Sequence, residues 1–147
     1  MASFADDPRH QKLVSVLVPL LRRTCPPGAG GYGGSYELRL ASSEAEDLGG
    51  LLLIRSAMRK AAKELGWSKL ETYGTGTGSV ALVGVIDKRE IPQEFSDVVE
   101  SHKLARMRDA AEAVSQAMTS GFGRAVRDGA NLRAQEFRAA YDAAATP

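Results

Sequence analysis

The sequence of 147 residues predicts a single α+β domain with a small three-stranded sheet in β-α-β-β order. A basic amphipathic pattern that begins at Leu51 is followed by two strand-like runs, and a glycine-rich segment joins these runs. Helical periodicity at both ends of the chain predicts an N-terminal helix and a helical C-terminal third around the sheet. The predicted segments are an N-terminal helix at 1–24, a Gly/Pro-rich loop at 25–35, an α/β core at 36–91 and a helical region at 92–147.

The first predicted element is a helix over residues 8–23. Asp7 is a suitable N-cap, and Pro8 suits the first turn because its missing amide has no helical partner there. Four apolar residues recur on one helix face: Leu13, Val16, Leu17 and Leu20. Pro19 removes a backbone donor, so we expect it to kink the helix or to end it one residue earlier. A short buried strand over 13–18 is the alternative, since its valines favour β-structure.

The Gly/Pro-rich segment 25–35 separates this helix from the core. Residues 28–33 fit the nucleotide-binding pattern G-x-G-x-x-G by letter. That motif must follow a strand and open a helix, whereas this one precedes a strand. A loop or flexible linker is therefore predicted. The alternation of apolar and polar residues over 36–40 then predicts the first, half-buried strand.

The crossover helix is predicted from its end signals and its apolar stripe. Ser42 or Ser43 is expected to be the N-cap, because Glu46 stands three residues after Ser43 as in a capping box. Gly49 and Gly50 weaken the first turn, so the regular helix is expected to begin near Leu51. Gly66 is placed to end it. The predicted stripe comprises Leu48, Leu51, Leu52, Met58, Ala62 and Leu65.

Residues 69–73 and 80–86 predict the second and third strands. The third run is apolar at both alternating sets of positions, which predicts a central strand covered on both faces. The segment Gly74-Thr75-Gly76-Thr77-Gly78 is expected to form a protruding hairpin tip, because glycine readily adopts the positive φ that such turns need.

The C-terminal third is predicted to consist of two helices. The first begins at Pro92 and continues to about Thr119, and its apolar face comprises Phe95, Val98, Val99, His102, Ala105 and Val114. Gly121 and Gly123 interrupt the pattern. A final helix over 130–144 has Leu132, Phe137 and Tyr141 spaced for packing. These helices are expected to cover the sheet or to project as a partner-binding hairpin.

Composition and charge exclude several classes of protein. The formal net charge of +1 excludes a histone-like polycation. A single cysteine, Cys25, excludes an intrachain disulfide and favours a reducing compartment. The longest apolar run, at 13–21, is too short to span a bilayer and lacks the basic flank of a secretory signal. We therefore expect a cytoplasmic protein without a membrane partner. The excess of Arg over Lys and the abundant alanine are typical of high-GC genomes and suggest a bacterial source.

The residues expected of a catalytic or metal site are sparse. There are only two histidines, so a multi-histidine metal site is not predicted. Cys25 has no histidine or acid nearby in sequence to activate it. No catalytic residue, metal ligand or cofactor is assigned, and an enzyme is less favoured than a binding protein. A pair of catalytic carboxylates from distant parts of the chain cannot be assigned from the sequence alone.

A basic patch provides the leading functional hypothesis. Arg55, Arg59 and Lys63 repeat every four residues and so share one helix face. Lys69, Lys88 and Arg89 could extend this face, and Gly74, Gly76 and Gly78 could allow close approach of a ligand. Residues 51–90 carry seven Lys and Arg against four Asp and Glu, a modest local excess. We predict a non-enzymatic protein that binds DNA or RNA phosphates through these residues. The alternative is that they form a solvent-exposed helix flank whose side-chain stems cover the core.

Two further features stay open in this hypothesis. Trp67 and Tyr73 lie close to the patch and could stack on bases, although an edge-of-core role is commoner for both. The alternative function is a protein-interaction or homodimerisation module that acts through the alanine-rich C-terminal helices. Its candidate contact residues are Ala110, Ala111, Ala113 and Ala117, which permit close helix approach, together with Met107 and Met118.

Overall fold

The computed structural model describes residues 4–120 and 134–144 and has the mixed α+β fold that the sequence predicts. A 3-10 turn at Phe4–Asp6 precedes the other elements. These are α1 Pro8–Thr24, β1 Ser35–Ala41, α2 Ser42–Asp47, α3 Leu51–Glu64, β2 Leu70–Thr77, β3 Val80–Asp87, α4 Gln93–Ser120 and a last helix, α5, at 134–143. Among the described helices, none combines the length and apolar character that a membrane crossing needs.

The three strands form one antiparallel sheet in the order β1-β3-β2. The connection through α2 and α3 carries the chain over β3, so β1 and β2 run parallel at opposite edges. Helices α1 and α3 pack together on one face, against the buried side chains of Ala81, Val83 and Val85. The central position of β3 is confirmed. The prediction that β3 is covered on both faces is wrong, because Leu82 and Ile86, which point to the face away from α3, are only half-buried.

Helix α1 runs past Pro19 to Thr24, so both the early end and the alternative strand are wrong. The Asp7 side chain accepts the predicted cap hydrogen bond from Arg9 N at 2.9 Å. Leu20 and Leu21, which follow the proline, are 5% and 0% exposed. Burying two leucines contributes roughly 3–6 kcal/mol, which offsets the roughly 3 kcal/mol cost of an interior proline. Tertiary burial therefore extends the helix.

The start of the crossover differs from the prediction. Ser42 is the first residue of the short α2, its cap position is Ala41, and no side-chain cap is formed. The Ser42 hydroxyl instead donates to Gly78 O at 3.0 Å, so the predicted serine cap is wrong. The predicted stripe of α3 is partly wrong as well, because Leu52 is 71% exposed while its neighbour Leu53 is buried. The start of α3 at Leu51 is confirmed.

The glycine-rich segment forms a strand and not a five-residue tip. β2 continues to Thr77, which pairs with Val80 across a two-residue turn. Gly78 has φ +61° at the first central position, as in a type II′ hairpin. Gly74 and Gly76 are paired with β3 residues and face α3, where a Cβ at Gly76 would lie 3.3 Å from Leu51 Cδ1. The predicted hairpin is confirmed, but its predicted tip is wrong.

The Gly/Pro-rich loop is packed against the remainder of the protein and does not link separate units. Ala29 is fully buried, and the rings of Tyr32 and Phe95 stack with centroids 6.0 Å apart. Gly34 lies so close to Trp67 that a Cβ would be 2.4 Å from the indole ring. The loop thus fixes the first turns of α4 beside the sheet.

The helical C-terminal part is only partly embedded. Phe95, Val99 and His102 are half-buried, but Ala105 is exposed and Val98 is 36% exposed, so the predicted apolar face leaves the core beyond His102. In α5, Phe137 is 2% exposed and its ring stacks with that of Tyr141, as the spacing predicted. Several of the predictions for this region fall outside the residues or side chains that the structure describes. They concern Ala110, Ala113, Val114, Ala117, Met118, Gly121, Gly123 and Leu132.

Candidate functional site

The predicted basic face of α3 lies beside the edge strand β2, and its arginines are anchored there. Arg55 Nε donates to Thr72 Oγ1 and Arg55 Nη2 donates to Thr72 O, both at 2.9 Å. Arg59 Nη2 also donates to Thr72 Oγ1 at 2.9 Å. Thr72 is only 7% exposed, so these bonds satisfy buried polar atoms. Both guanidinium groups keep further N–H donors for a ligand, because each has five.

Lys63 and Lys69 complete the basic face with exposed side chains. Neither lysine forms an ion pair within residues 4–120 and 134–144. Lys88 is different, since its Nζ lies 3.6 Å from Glu71 Oε2. Both members of that pair are more than half exposed, so the pair contributes little to stability. Lys63 and Lys69 are therefore freer than Lys88 to meet an anionic ligand.

Arg89 lies at the end of β3 and ties three parts of the fold together. Its Nη2 is 2.7 Å from Asp87 Oδ2, and the two side chains are 15% and 1% exposed. Nη1 donates to Gly66 O and Nη2 donates to Gly31 O, while the guanidinium lies 4.2 Å above the Tyr32 ring. The hydrogen bond with Asp87 also raises the pKa of Arg89. Because four of its donor N–H groups are already used, Arg89 mainly stabilises the loop.

The two aromatic candidates for base stacking are placed differently. Trp67 is fully buried against Gly34, so it presents no ring face to a ligand. Tyr73 is half-buried on the outer face of the sheet, where its ring covers Gly84. A Cβ at Gly84 would lie 2.3 Å from the tyrosine ring, so the glycine makes room for it. Tyr73 alone of the pair is accessible, and its ring lies on the face of the sheet opposite α3 and the basic residues.

The remaining reactive groups occupy structural positions. Burial, followed by the charge of Asp87, raises the pKa of Cys25, which keeps its thiol protonated and weakly nucleophilic at neutral pH. His10 is 2% exposed, and its Nε2 lies 3.1 Å from Ser56 Oγ. Burial, followed by the charge of Lys60, lowers the pKa of His10, so its neutral form is favoured. Neither group faces a convergent set of catalytic partners in the described residues.

A cleft of about 580 Å³ adjoins the beginning of β1. Charged side chains of both signs line it, namely Arg23, Glu37, Arg106 and Glu136, together with His102 and two tyrosines. The Nδ1 atom of His102 is buried without a partner in the described chain. Sequence reasoning missed this cleft because its walls come from six elements spread along the chain, α1, β1, β2, β3, α4 and α5. Its balanced charges favour no class of ligand.

Across residues 4–120 and 134–144, no group of three or more His, Cys, Asp and Glu side chains is arranged to hold a metal ion. Comparison of the chain with protein-family models, with curated proteins and with solved structures finds no match. The candidate site is therefore the surface formed by α3 and the edge of β2. We refer to it as the α3–β2 surface, and its residues are Leu52, Arg55, Arg59, Lys63, Lys69, Gly74 and Gly76.

Proposed function

We propose that this chain is a non-enzymatic binding protein that holds nucleic acid by its phosphates along the α3–β2 surface. Arg59, Lys63 and Lys69 are the principal phosphate ligands, with Arg55 in support. The observation that carries this proposal is the row of exposed cations without acidic partners in the described chain. Phosphate contacts from Lys and Arg supply most of the affinity of sequence-independent nucleic-acid binding.

The anchoring of the arginines supports the proposal further. Thr72 holds Arg55 and Arg59 in fixed positions by hydrogen bonds of 2.9 Å. A side chain fixed before binding loses less conformational entropy when it meets a phosphate. Gly74 and Gly76 carry no side chains that would keep a strand away from these cations. The small net charge of +1 implies binding that depends on this local surface and not on the overall charge.

The double variant Arg59→Glu/Lys63→Glu should weaken nucleic-acid binding and lower its salt dependence. Fluorescence anisotropy with labelled single- and double-stranded DNA and RNA at several salt concentrations measures both effects. For a single strand, the slope of log affinity against log salt should shrink by roughly 1.4, because two phosphate contacts are lost. The affinity itself should fall at every salt concentration.

The matched control is Arg22→Glu/Lys103→Glu, which makes the same change in net charge at two exposed cations away from the surface. This control should leave the slope unchanged. Equal losses in both double variants would show a general charge effect, and an unchanged affinity in the first variant would reject the proposal.

A second candidate function, homodimerisation, is favoured by α4. All residues from Lys103 to Asp109 are exposed, and Leu104 and Met107 are 52% and 61% exposed. With the exposed Ala111 they follow a spacing of three and four residues, as on the contact face of a coiled coil. An exposed apolar stripe on a helix of 28 residues is suited to packing against another helix.

Leu104→Glu/Met107→Glu should convert such a dimer into a monomer, because each copy would bury charges at the helix contact. Sedimentation velocity over a range of protein concentrations measures the change. Leu52→Glu, another exposed leucine on a different helix, should leave the dimer intact. A wild-type protein that stays monomeric at every concentration would reject homodimerisation through α4.

A further inference from the structure

The outer edge of β2 is open in the described part of the chain. Lys88 N donates to Lys69 O at 2.9 Å, which fixes the pairing of β2 with β3. In an antiparallel pair, bonded residues alternate with residues whose backbone groups point away. The odd-numbered residues of β2 therefore bond to β3. The even-numbered residues Leu70, Thr72, Gly74 and Gly76 direct their amides and carbonyls outward.

The outward backbone groups differ in their partners. Arg55 Nη2 already donates to the Thr72 carbonyl. For Gly74 and Gly76, no hydrogen bond is made at the outward amide or carbonyl within residues 4–120 and 134–144. Four strong hydrogen-bonding groups thus remain accessible along two consecutive outward positions.

At Gly74 and Gly76 this edge lacks the devices with which proteins usually prevent strand pairing, which are charged side chains, prolines and bulges. Its outward positions at 74 and 76 are glycines, so no side chain shields the backbone there. The opposite edge of the sheet provides a contrast. In β1, the outward-facing backbone positions include the exposed charged residues Glu37 and Arg39. The β1 edge therefore carries charged side chains at outward positions, whereas the β2 edge leaves the backbone of Gly74 and Gly76 uncovered in the described part of the chain.

The side of α3 that borders this edge changes in character along its length. Leu51 lies beside Gly76, where a Cβ would be 3.3 Å from its Cδ1. The exposed Leu52 shares the flank of Arg55, since the two are three residues apart on the helix. Arg59 then reaches Thr72, and Lys63 follows one turn later. An added strand would thus meet an apolar contact at Gly76 and cations toward Leu70.

We propose that the edge of β2 binds an extended acidic peptide segment by strand addition. Its backbone pairs with the outward groups of Gly74 and Gly76, which is the main-chain recognition known for sheet edges. On the side facing α3, one apolar side chain contacts Leu52, and acidic side chains two and four positions away, level with Gly74 and Thr72, meet Arg55 and Arg59.

A second copy of this chain is the less favoured occupant. Antiparallel pairing of two β2 edges about an axis normal to the sheet would place both α3 helices on the same face. The Arg55 and Arg59 groups of the two copies would then face each other, and like charges disfavour that contact. Charge complementarity therefore favours an acidic partner.

The test uses an eight-residue capped peptide, which matches the length of β2, with valine at position 2, glutamate at positions 4 and 6, and threonine elsewhere, so that the valine and both glutamates lie on one face of the strand. Amide hydrogen exchange of the ¹⁵N-labelled protein is followed by NMR with and without the peptide. Exchange at Gly74 and Gly76 should slow on binding, because their amides become ladder donors. A peptide with lysine in place of glutamate should not bind, and a version N-methylated at alternate amides should lose the protection. Binding without protection at these glycines would overturn the proposal.

Protein variants separate the two components of recognition. Arg59→Glu should lower the affinity for the valine–glutamate peptide about fivefold or more, whereas Arg22→Glu should not change it. Gly76→Pro removes one outward donor and should abolish binding. Since this proline could impair folding, the N-methylated peptide tests the same hydrogen bonds on the unmodified protein. Concentration-dependent protection of Gly74 without peptide would instead identify pairing of two copies and would overturn the assignment.

The strand-addition proposal does not depend on nucleic-acid binding, and the two fail separately. An oligonucleotide held through phosphates should leave exchange at Gly74 and Gly76 unchanged. A protein that binds the oligonucleotide but not the peptide would overturn strand addition alone. A protein that binds the peptide but no oligonucleotide would overturn nucleic-acid binding alone.

Discussion

Arg89→Met should lower the free energy of unfolding by about 3 kcal/mol, because it leaves the Asp87 carboxylate buried without its cation. The Asp87 side chain is 1% exposed, so water cannot replace the lost guanidinium. The carboxylate retains hydrogen bonds from the backbone N–H of Gly33 and of residue 89, which keeps the loss near the lower end of the range for broken buried pairs. Urea denaturation followed by the fluorescence of Trp67 measures the change.

The double variant Asp87→Asn/Arg89→Met should be more stable than Arg89→Met alone. Asparagine has a similar shape and no charge, so the main penalty of the single variant disappears. Together with the single variant Asp87→Asn, these proteins complete a double-mutant cycle that reports the coupling energy between Asp87 and Arg89. If Arg89→Met lowers the free energy of unfolding by less than about 1 kcal/mol, the pair behaves like a surface ion pair, and the proposed stabilisation of the loop by Arg89 is wrong.

Arg89 also connects the Gly/Pro-rich loop to the end of α3, the helix that carries the candidate site. Arg89 donates to Gly31 O and Gly66 O, which lie in the loop and at the end of α3. Its loss should speed amide exchange in residues 25–34, because the loop then depends on fewer contacts. The α3–β2 surface should keep its bonds to Thr72 in that variant.

Local patterns predicted the helices and strands well, but they could not decide where tertiary contacts override a local signal. The proline in α1 would end an isolated helix, and only the burial of Leu20 and Leu21 carries the helix beyond it. Gly74 and Gly76 are typical turn residues, yet they pair with Val83 and Ala81. That pairing depends on the register set by the shorter turn at Gly78.

The candidate site shows the same limit. The four-residue spacing correctly placed Arg55, Arg59 and Lys63 along one flank of α3, since helical geometry alone determines it. The anchoring of Arg55 and Arg59 on Thr72 could not be predicted, because it joins residues 17 and 13 positions apart. The open edge at β2 depends on the strand order β1-β3-β2, which local periodicity does not encode.

Trp67→Ala should lower the free energy of unfolding by about 3–5 kcal/mol, because the indole is fully buried and its loss leaves a large cavity. Thermal unfolding followed by circular dichroism is the suitable measurement, since the change removes the only tryptophan. Trp67→Phe should cost less, because much of the apolar volume beside Gly34 remains filled.

The phenylalanine variant also separates a core role for Trp67 from a role in stacking on bases. A residue that only packs the core should leave the affinity for labelled single-stranded DNA unchanged in folded Trp67→Phe. A stacking residue that loses its indole should weaken binding by up to about 1–3 kcal/mol per base. Tyr73→Ala provides the comparison, because this half-buried ring lies on the outer face of the sheet, opposite α3. Loss of affinity at Tyr73 alone would place any base contact on the outer face of the sheet, whereas loss at Trp67 would require the core around Gly34 to open when nucleic acid binds.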